Sequence, residues 1–219
     1  MKEEVLLMIP GPTNVPHRVL RALSKPMVGH RSDDFHRCFD TCTARLKQVF
    51  HTNNEVFIFA SSGTGAMEAA IANTLSPGDS VLCVVNGVFG DRFSKIAKTY
   101  GAEVTLLEFA PGVGADADSL RKALKQKSFK AVTMLHNETS TGVLNDLAAL
   151  APIVKETDAL LIVDTISGVL SAPLETDQWG IDLLVGGSQK AFMLPPGLAF
   201  LAVSEKAWKA VETCKSPSF

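Results

Sequence analysis

From about residue 55 onward the chain alternates between short runs that are apolar at nearly every position and longer amphipathic segments, and this constrains its fold more than any other feature. The runs are Val56–Phe59, Ser80–Val85, Glu103–Leu107, Ala131–Leu135, Leu160–Val163, Asp182–Val185 and Leu198–Val203. A strand with one face in water alternates apolar and polar residues, whereas a strand that is apolar throughout must be covered on both faces. Between the runs the spacing predicts helices over Gly65–Leu75, Phe89–Tyr100, Asp116–Gln126 and Asp146–Glu156, with another over Glu205–Cys214. Asp116 is a capping aspartate, and Gly101 stands where a C′ glycine ends a helix. Strands and helices in this order make an α/β domain with a mostly parallel sheet sandwiched by helices.

The first 50 residues read differently. Pro10-Gly11-Pro12 and Pro16 punctuate an extended arm over residues 1–25, and Asp34–Phe50 is an amphipathic helix. Residues 26–219 form one large domain, because no linker or internal repeat divides them. An arm of this kind packs over its own domain or over a second subunit.

Composition narrows the classes of function. An apolar share of 46% excludes a disordered tail, and no apolar run approaches the roughly 20 residues that span a bilayer. With 21 basic and 23 acidic residues there is no bulk electrostatic pull toward nucleic acid. Met1–Ile9 lacks the long apolar stretch and cleavage site of a signal peptide, so a cytoplasmic location is expected. Cys38, Cys42, Cys83 and Cys214 form no CxxC pair. Cys38 and Cys42 fall one helical turn apart, but no second pair completes a metal site, and all four are expected to be plain thiols.

In an α/β sheet ligands bind beyond the carboxyl ends of the strands, so the residues there are read together. After the first strand, Ser61-Ser62-Gly63-Thr64-Gly65-Ala66 offers small residues and a helix start, which suits an anion or merely a tight turn. After the second comes Asn86-Gly87-Val88-Phe89-Gly90, whose aromatic is either a core residue or a stacking ring. His136-Asn137-Glu138-Thr139-Ser140-Thr141-Gly142 is too polar for a helix lead-in, and a capping box explains only part of it. Asp164 ends a fully apolar strand, where a buried carboxylate needs a cationic partner unless it is only a cap. Gly186-Gly187-Ser188-Gln189-Lys190 then brings a lysine among glycines. A phosphate cradle, a stacking ring, a buried acid and a late lysine, each after a strand, are together what pyridoxal 5′-phosphate requires.

With those motifs in this order, and with Pro10-Gly11-Pro12-Thr13-Asn14 before them, the chain resembles the class V, fold-type I aminotransferases, most closely the alanine–glyoxylate and serine–glyoxylate (serine–pyruvate) group. The resemblance implies a fold-type I large domain that binds pyridoxal phosphate. It makes Lys190 the Schiff-base lysine, Asp164 the partner of the pyridine nitrogen and Phe89 the stacking ring, where the best-known relatives carry tryptophan. It assigns Thr64, Gly65 and Ala66 to the phosphate, with Gln189 also touching it. Thr139 would contact the ring hydroxyl, Ile166 the other ring face, and Gly11 and Pro12 the substrate. It also implies a small amino acid and a 2-oxo acid as substrates, and a homodimer. Relatives continue past this length into a small domain that supplies the arginine for the substrate carboxylate. The chain is therefore expected to be the cofactor domain without that clamp, with apolar side chains left exposed at Val5–Ile9 and Phe192-Met193-Leu194.

Two other readings compete. A cysteine desulfurase or another lyase of the same fold usually carries one histidine before the Schiff-base lysine and another on the ring, where this chain has Gln189 and Phe89. A non-catalytic cofactor-domain fragment is the alternative from outside enzymology.

Overall fold

A computed structural model describes residues 5–216. The first four residues of the expected arm and the closing Pro217-Ser218-Phe219 lie outside the described residues. In chain order the elements begin with α1 (His17–Leu23), α2 (Asp33–Phe50), β1 (Glu55–Phe59), α3 (Gly63–Thr74), β2 (Ser80–Val85) and α4 (Val88–Thr99). Then come β3 (Glu103–Glu108), α5 (Ala117–Leu124), β4 (Ala131–Leu135), β5 (Asn137–Glu138), β6 (Val143–Leu144) and α6 (Leu147–Lys155). The last are β7 (Leu160–Asp164), α7 (Thr176–Trp179), β8 (Leu183–Gly187), β9 (Ala199–Val203) and α8 (Glu205–Thr213).

One sheet runs β1-β9-β8-β7-β4-β2-β3, and β9 is antiparallel to both of its neighbours. All other pairings in it are parallel. The exception has a geometric cause. Parallel neighbours need a crossover of a dozen or more residues, and β8 is joined to β9 by a shorter loop that permits only an antiparallel return. That loop carries Lys190, and the buried Ser188 closes it by donating from Oγ to Pro195 O at 2.7 Å and accepting from Leu198 N at 3.3 Å.

Alternate strand residues feed two cores. Leu82, Val84, Val132, Met134, Leu161, Val163 and Leu184 pack with α2, α5 and α6. Val81, Cys83, Ala131, Leu135, Ile162, Leu183 and Val185 pack with α3, α4 and α8. Period-two side chains on a doubly covered sheet produce this split. The outer strands β1 and β3 are the departures, each only partly buried, with Leu106 of β3 exposed, because each has a neighbour on one side only.

Several expectations shift. Part of the arm is helical, as α1, although it buries nothing. Helix α3 starts at Gly63, since Ser62 caps it by accepting from Gly65 N at 3.3 Å. The polar segment after β4 forms a short hairpin, β5–β6, before Asp146 caps α6. Val5–Ile9 and Met193 are exposed as expected, but Leu194 is only half-exposed, and Phe192 is not left open. Its ring stands 6.3 Å from Phe50 and 4.9 Å from Phe200, so it pins the Lys190 loop to α2 and β9. Phe50 is the hub of this cluster and is fully buried. Phe50→Ala should lower unfolding free energy by about 3–5 kcal/mol, read as a lower urea midpoint with an unchanged slope.

Candidate functional site

The sheet register lines up the strand ends. Leu135 pairs with Asp164, Asp164 with Val185, and Gly187 and Phe59 both pair with Ala199. The chain leaves β2 outward to β3 and returns on the other side to β4, so the strand order reverses between β2 and β4. That is where an open α/β sheet offers a crevice.

Asp164 occupies the carboxyl end of β7, only 4% exposed, and among the described residues its carboxylate has one hydrogen bond, Oδ1 accepting from Ile166 N at 2.8 Å. Among the described residues no cation stands within ion-pairing distance of it. Burial pushes its carboxyl up to about 7. The Ile166 N–H and the more distant charges of Lys190 and Arg92 pull the other way, while Glu138 adds to the rise. Lys190 is half-buried, and burial lowers its ammonium against the attraction of Asp164. Together they are an acid whose hold on its proton is strengthened and a base whose hold is weakened, both by burial.

The arm closes over this lysine. Thr13 donates from N to Gln189 O at 3.2 Å and from Oγ1 to Lys190 O at 3.1 Å. A Cβ on Gly11 would overlap Lys190 Cδ, and the φ of 157° there disfavours any side chain. Pro12 follows through a cis bond and is exposed.

At the start of α3 the hydrogen-bonding pattern qualifies the expected cradle. Gly65 N donates to Ser62 Oγ and Ala66 N to Ser62 O, so both are engaged. Gly63 and Thr64 are the first-turn donors that a helix cannot satisfy internally. A side chain on Gly63 would collide with Ile166, which places Ile166 directly over the helix start. Thr139 Oγ1 lies 2.7 Å from Ser167 Oγ, which also receives Asn137 Nδ2 at 2.9 Å. Gln189 is half-buried, its Oε1 close to where a Cβ on Gly187 would be. His136 is buried and driven down to about 4 by desolvation, so it is a neutral partner for Thr165 Oγ1 at 3.1 Å.

Arg92 went unnoticed in the sequence. Its guanidinium stands 4.7 Å above the Phe89 ring and donates to Thr64 Oγ1 at 3.1 Å, so one cation links the aromatic of α4 to the start of α3. The i,i+3 spacing from Phe89 was the available signal. Ser167 carried no such signal, since its partners lie on another strand end. The thiols of Cys38 and Cys42 are exposed, and no cluster of metal-ligating side chains occurs among the described residues.

The profile of the aminotransferase class-V family matches residues 5–218. The chain belongs to that family. Among its relatives are the small subunit of a soluble hydrogenase from Synechococcus sp. (strain PCC 6716), 45% identical over 100% of this chain and 58% of that one. The serine–glyoxylate aminotransferase of Methylorubrum extorquens is 40% identical over 94% of this chain and 53% of that one. The solved alanine–glyoxylate aminotransferase of Nostoc sp. superposes with a TM-score of 0.94 at 34% identity, covering 99% of this chain and 58% of that one. The class V chain thus has the fold-type I large-domain architecture and spans little more than half the length of these relatives.

Class V aminotransferases depend on pyridoxal phosphate. The residues present fit that group. A buried carboxylate without a cation matches a protonated ring nitrogen, a lysine with weakened proton affinity matches an aldehyde, and two unsatisfied N–H groups match a phosphate.

The raised Asp164 carboxyl gives a signed prediction. The folded chain holds this proton more tightly than the unfolded one, so its contribution is most favourable at low pH and is lost as pH rises from about 4 through about 7. In cofactor-free protein, Asp164→Asn should raise the melting temperature at about pH 8, and the gain should shrink toward about pH 4. A gain that does not change with pH would show that the carboxylate is not buried at this cost.

Proposed function

We propose that this chain is the cofactor-holding domain of an aminotransferase that exchanges the amino group of alanine or serine with a 2-oxo acid such as glyoxylate or pyruvate. The observation that carries the reading is the opposed pair at the ends of β7 and β8. Asp164 is buried without a cation, and Lys190 is half-buried with a weakened hold on its proton. The names of the serine–glyoxylate and alanine–glyoxylate relatives support the substrate class.

When bound, pyridoxal phosphate supplies an electrophilic carbon and a ring that accepts electrons. Lys190 would be the residue that holds the group through Nζ, and its free amine would carry a proton as general base and acid. Its lowered proton affinity leaves more of the free amine that the role requires. Asp164 keeps the ring nitrogen protonated, and the cation it gains there offsets its burial. Phe89 and Ile166 would pack on the ring, while Thr64, Gly65, Ala66 and Gln189 would hold the phosphate. Gly63 and Thr64 are the backbone donors free to serve it. Thr139, held by Ser167, addresses the ring hydroxyl. Gly11 lies against Lys190, and Gly11 and Pro12 would border the substrate.

A homodimer and a cytoplasmic location belong to the same reading. The exposed apolar side chains at Val5–Ile9, Met27, Phe35 and Phe39 support a covering partner. Among the described residues no helix is long and apolar enough to cross a membrane. Borohydride reduction of the chain mixed with pyridoxal phosphate, followed by peptide mapping, should place the pyridoxyl group on Lys190, and Lys190→Ala should remove it. Label on a different lysine would overturn the assignment, and absence of alanine– or serine–glyoxylate turnover in the whole protein would overturn the substrate class.

A further inference from the structure

Helix α4 lacks a cap of its own. Its N-cap is Gly87, which has no side chain to accept the first-turn N–H groups. Those groups are satisfied from the β5–β6 hairpin instead. Phe89 N and Gly90 N both donate to Glu138 Oε2 at 3.0 Å, and Val88 N donates to Ser140 Oγ at 3.0 Å. The other carboxylate oxygen, Oε1, accepts from Ser140 N at 3.0 Å and from Ser140 Oγ at 2.6 Å. Glu138 is 0% exposed, and a Cβ on Gly87 would crowd its Cδ at 2.5 Å and Ser140 Oγ at 2.6 Å.

A serine at an N-cap satisfies first-turn N–H groups without burying a carboxylate, but here Glu138 and Ser140 fill the space a side chain at position 87 would need. Burying a carboxylate costs several kcal/mol before its hydrogen bonds are counted, so the distant cap needs a reason beyond helix stability. The distant cap acts where a local one cannot. It refers the backbone of Phe89 to the loop that follows β4, across the reversal of strand order and beside Asp164, 49 residues along the chain. We propose that Glu138 is a positioning residue for Phe89, holding the first turn of α4 so that the aromatic ring is set for stacking on the bound cofactor. The inference rests on the pyridoxal-phosphate reading above for its consequence, though not for the contact itself.

The test uses amide hydrogen exchange without cofactor, and pyridoxal phosphate titration read by affinity and by the circular dichroism of the bound chromophore. Asp146→Ala, which removes the exposed cap of α6, is the control for a purely structural cap. Glu138→Ala should speed exchange at Phe89 and Gly90 and weaken cofactor affinity by about tenfold, the equivalent of one lost cap, with a smaller dichroic signal at saturation. Glu138→Gln keeps a carbonyl for the Phe89 and Gly90 N–H groups but sets an NH2 against Ser140 N, so its affinity should fall between those of the parent and Glu138→Ala. Asp146→Ala should lower the melting temperature while leaving affinity and dichroism alone. If Glu138→Ala does not fold, Ser140→Ala supplies the decision, with about threefold weaker binding expected. Faster exchange at Phe89 with unchanged affinity and dichroism would reduce Glu138 to an ordinary cap and overturn the proposal, as would unchanged exchange. If the parent chain takes up no pyridoxal phosphate, the functional reading fails, and the exchange experiment still decides whether Glu138 holds Phe89.

Discussion

Covering β4, β7 and β8 on both faces leaves no place inside the sheet for an unpaired charge, and the rest of the molecule follows from that constraint. Every side chain along these strands meets a helix layer, so charged groups are confined to the strand ends, where the backbone turns away. At the amino end Asp182 is satisfied by Leu161 N at 2.9 Å and Ser204 Oγ at 2.8 Å, a structural use. At the carboxyl end Asp164 is left short of partners. The same sheet therefore holds one buried acid whose carboxylate is well hydrogen-bonded and one whose carboxylate is not.

Glu138 and Asp164 make the contrast sharper. Both are buried, yet Glu138 receives four donors whereas Asp164 receives one. A carboxylate saturated with N–H and O–H groups is part of the scaffold. A carboxylate with spare capacity in the same low-dielectric crevice raises its own proton affinity, and Glu138 nearby increases the effect. Lys190, reached from the adjacent strand end and covered by the arm at Gly11, has its ammonium weakened by burial.

Much of this could be read from local patterns. The doubly covered strands, the capping aspartate at position 116 and the glycine after α4 follow from period and propensity over a few residues, and all stand where expected. Boundaries moved where a side chain outside the apolar pattern intervened, as when Ser62 advanced the start of α3 to Gly63. The excess of polar residues in His136–Gly142 was visible without its cause. The cause is a helix end elsewhere in the chain, whose N–H groups Glu138 and Ser140 satisfy.

The sequence alone thus determined the layered α/β architecture and the strand ends where chemistry could stand, because apolar periodicity acts locally and burial leaves few solutions. It also carried the ordered motifs by which the family is recognised. Only the tertiary structure decided which strand ends become neighbours, that the arm lies on Lys190, that Arg92 joins Thr64 to Phe89, and that Phe192 turns inward. Those contacts link residues tens to more than a hundred positions apart, such as Thr13 and Lys190 at a separation of 177. Their partners are chosen by sheet order and register, which no local pattern encodes.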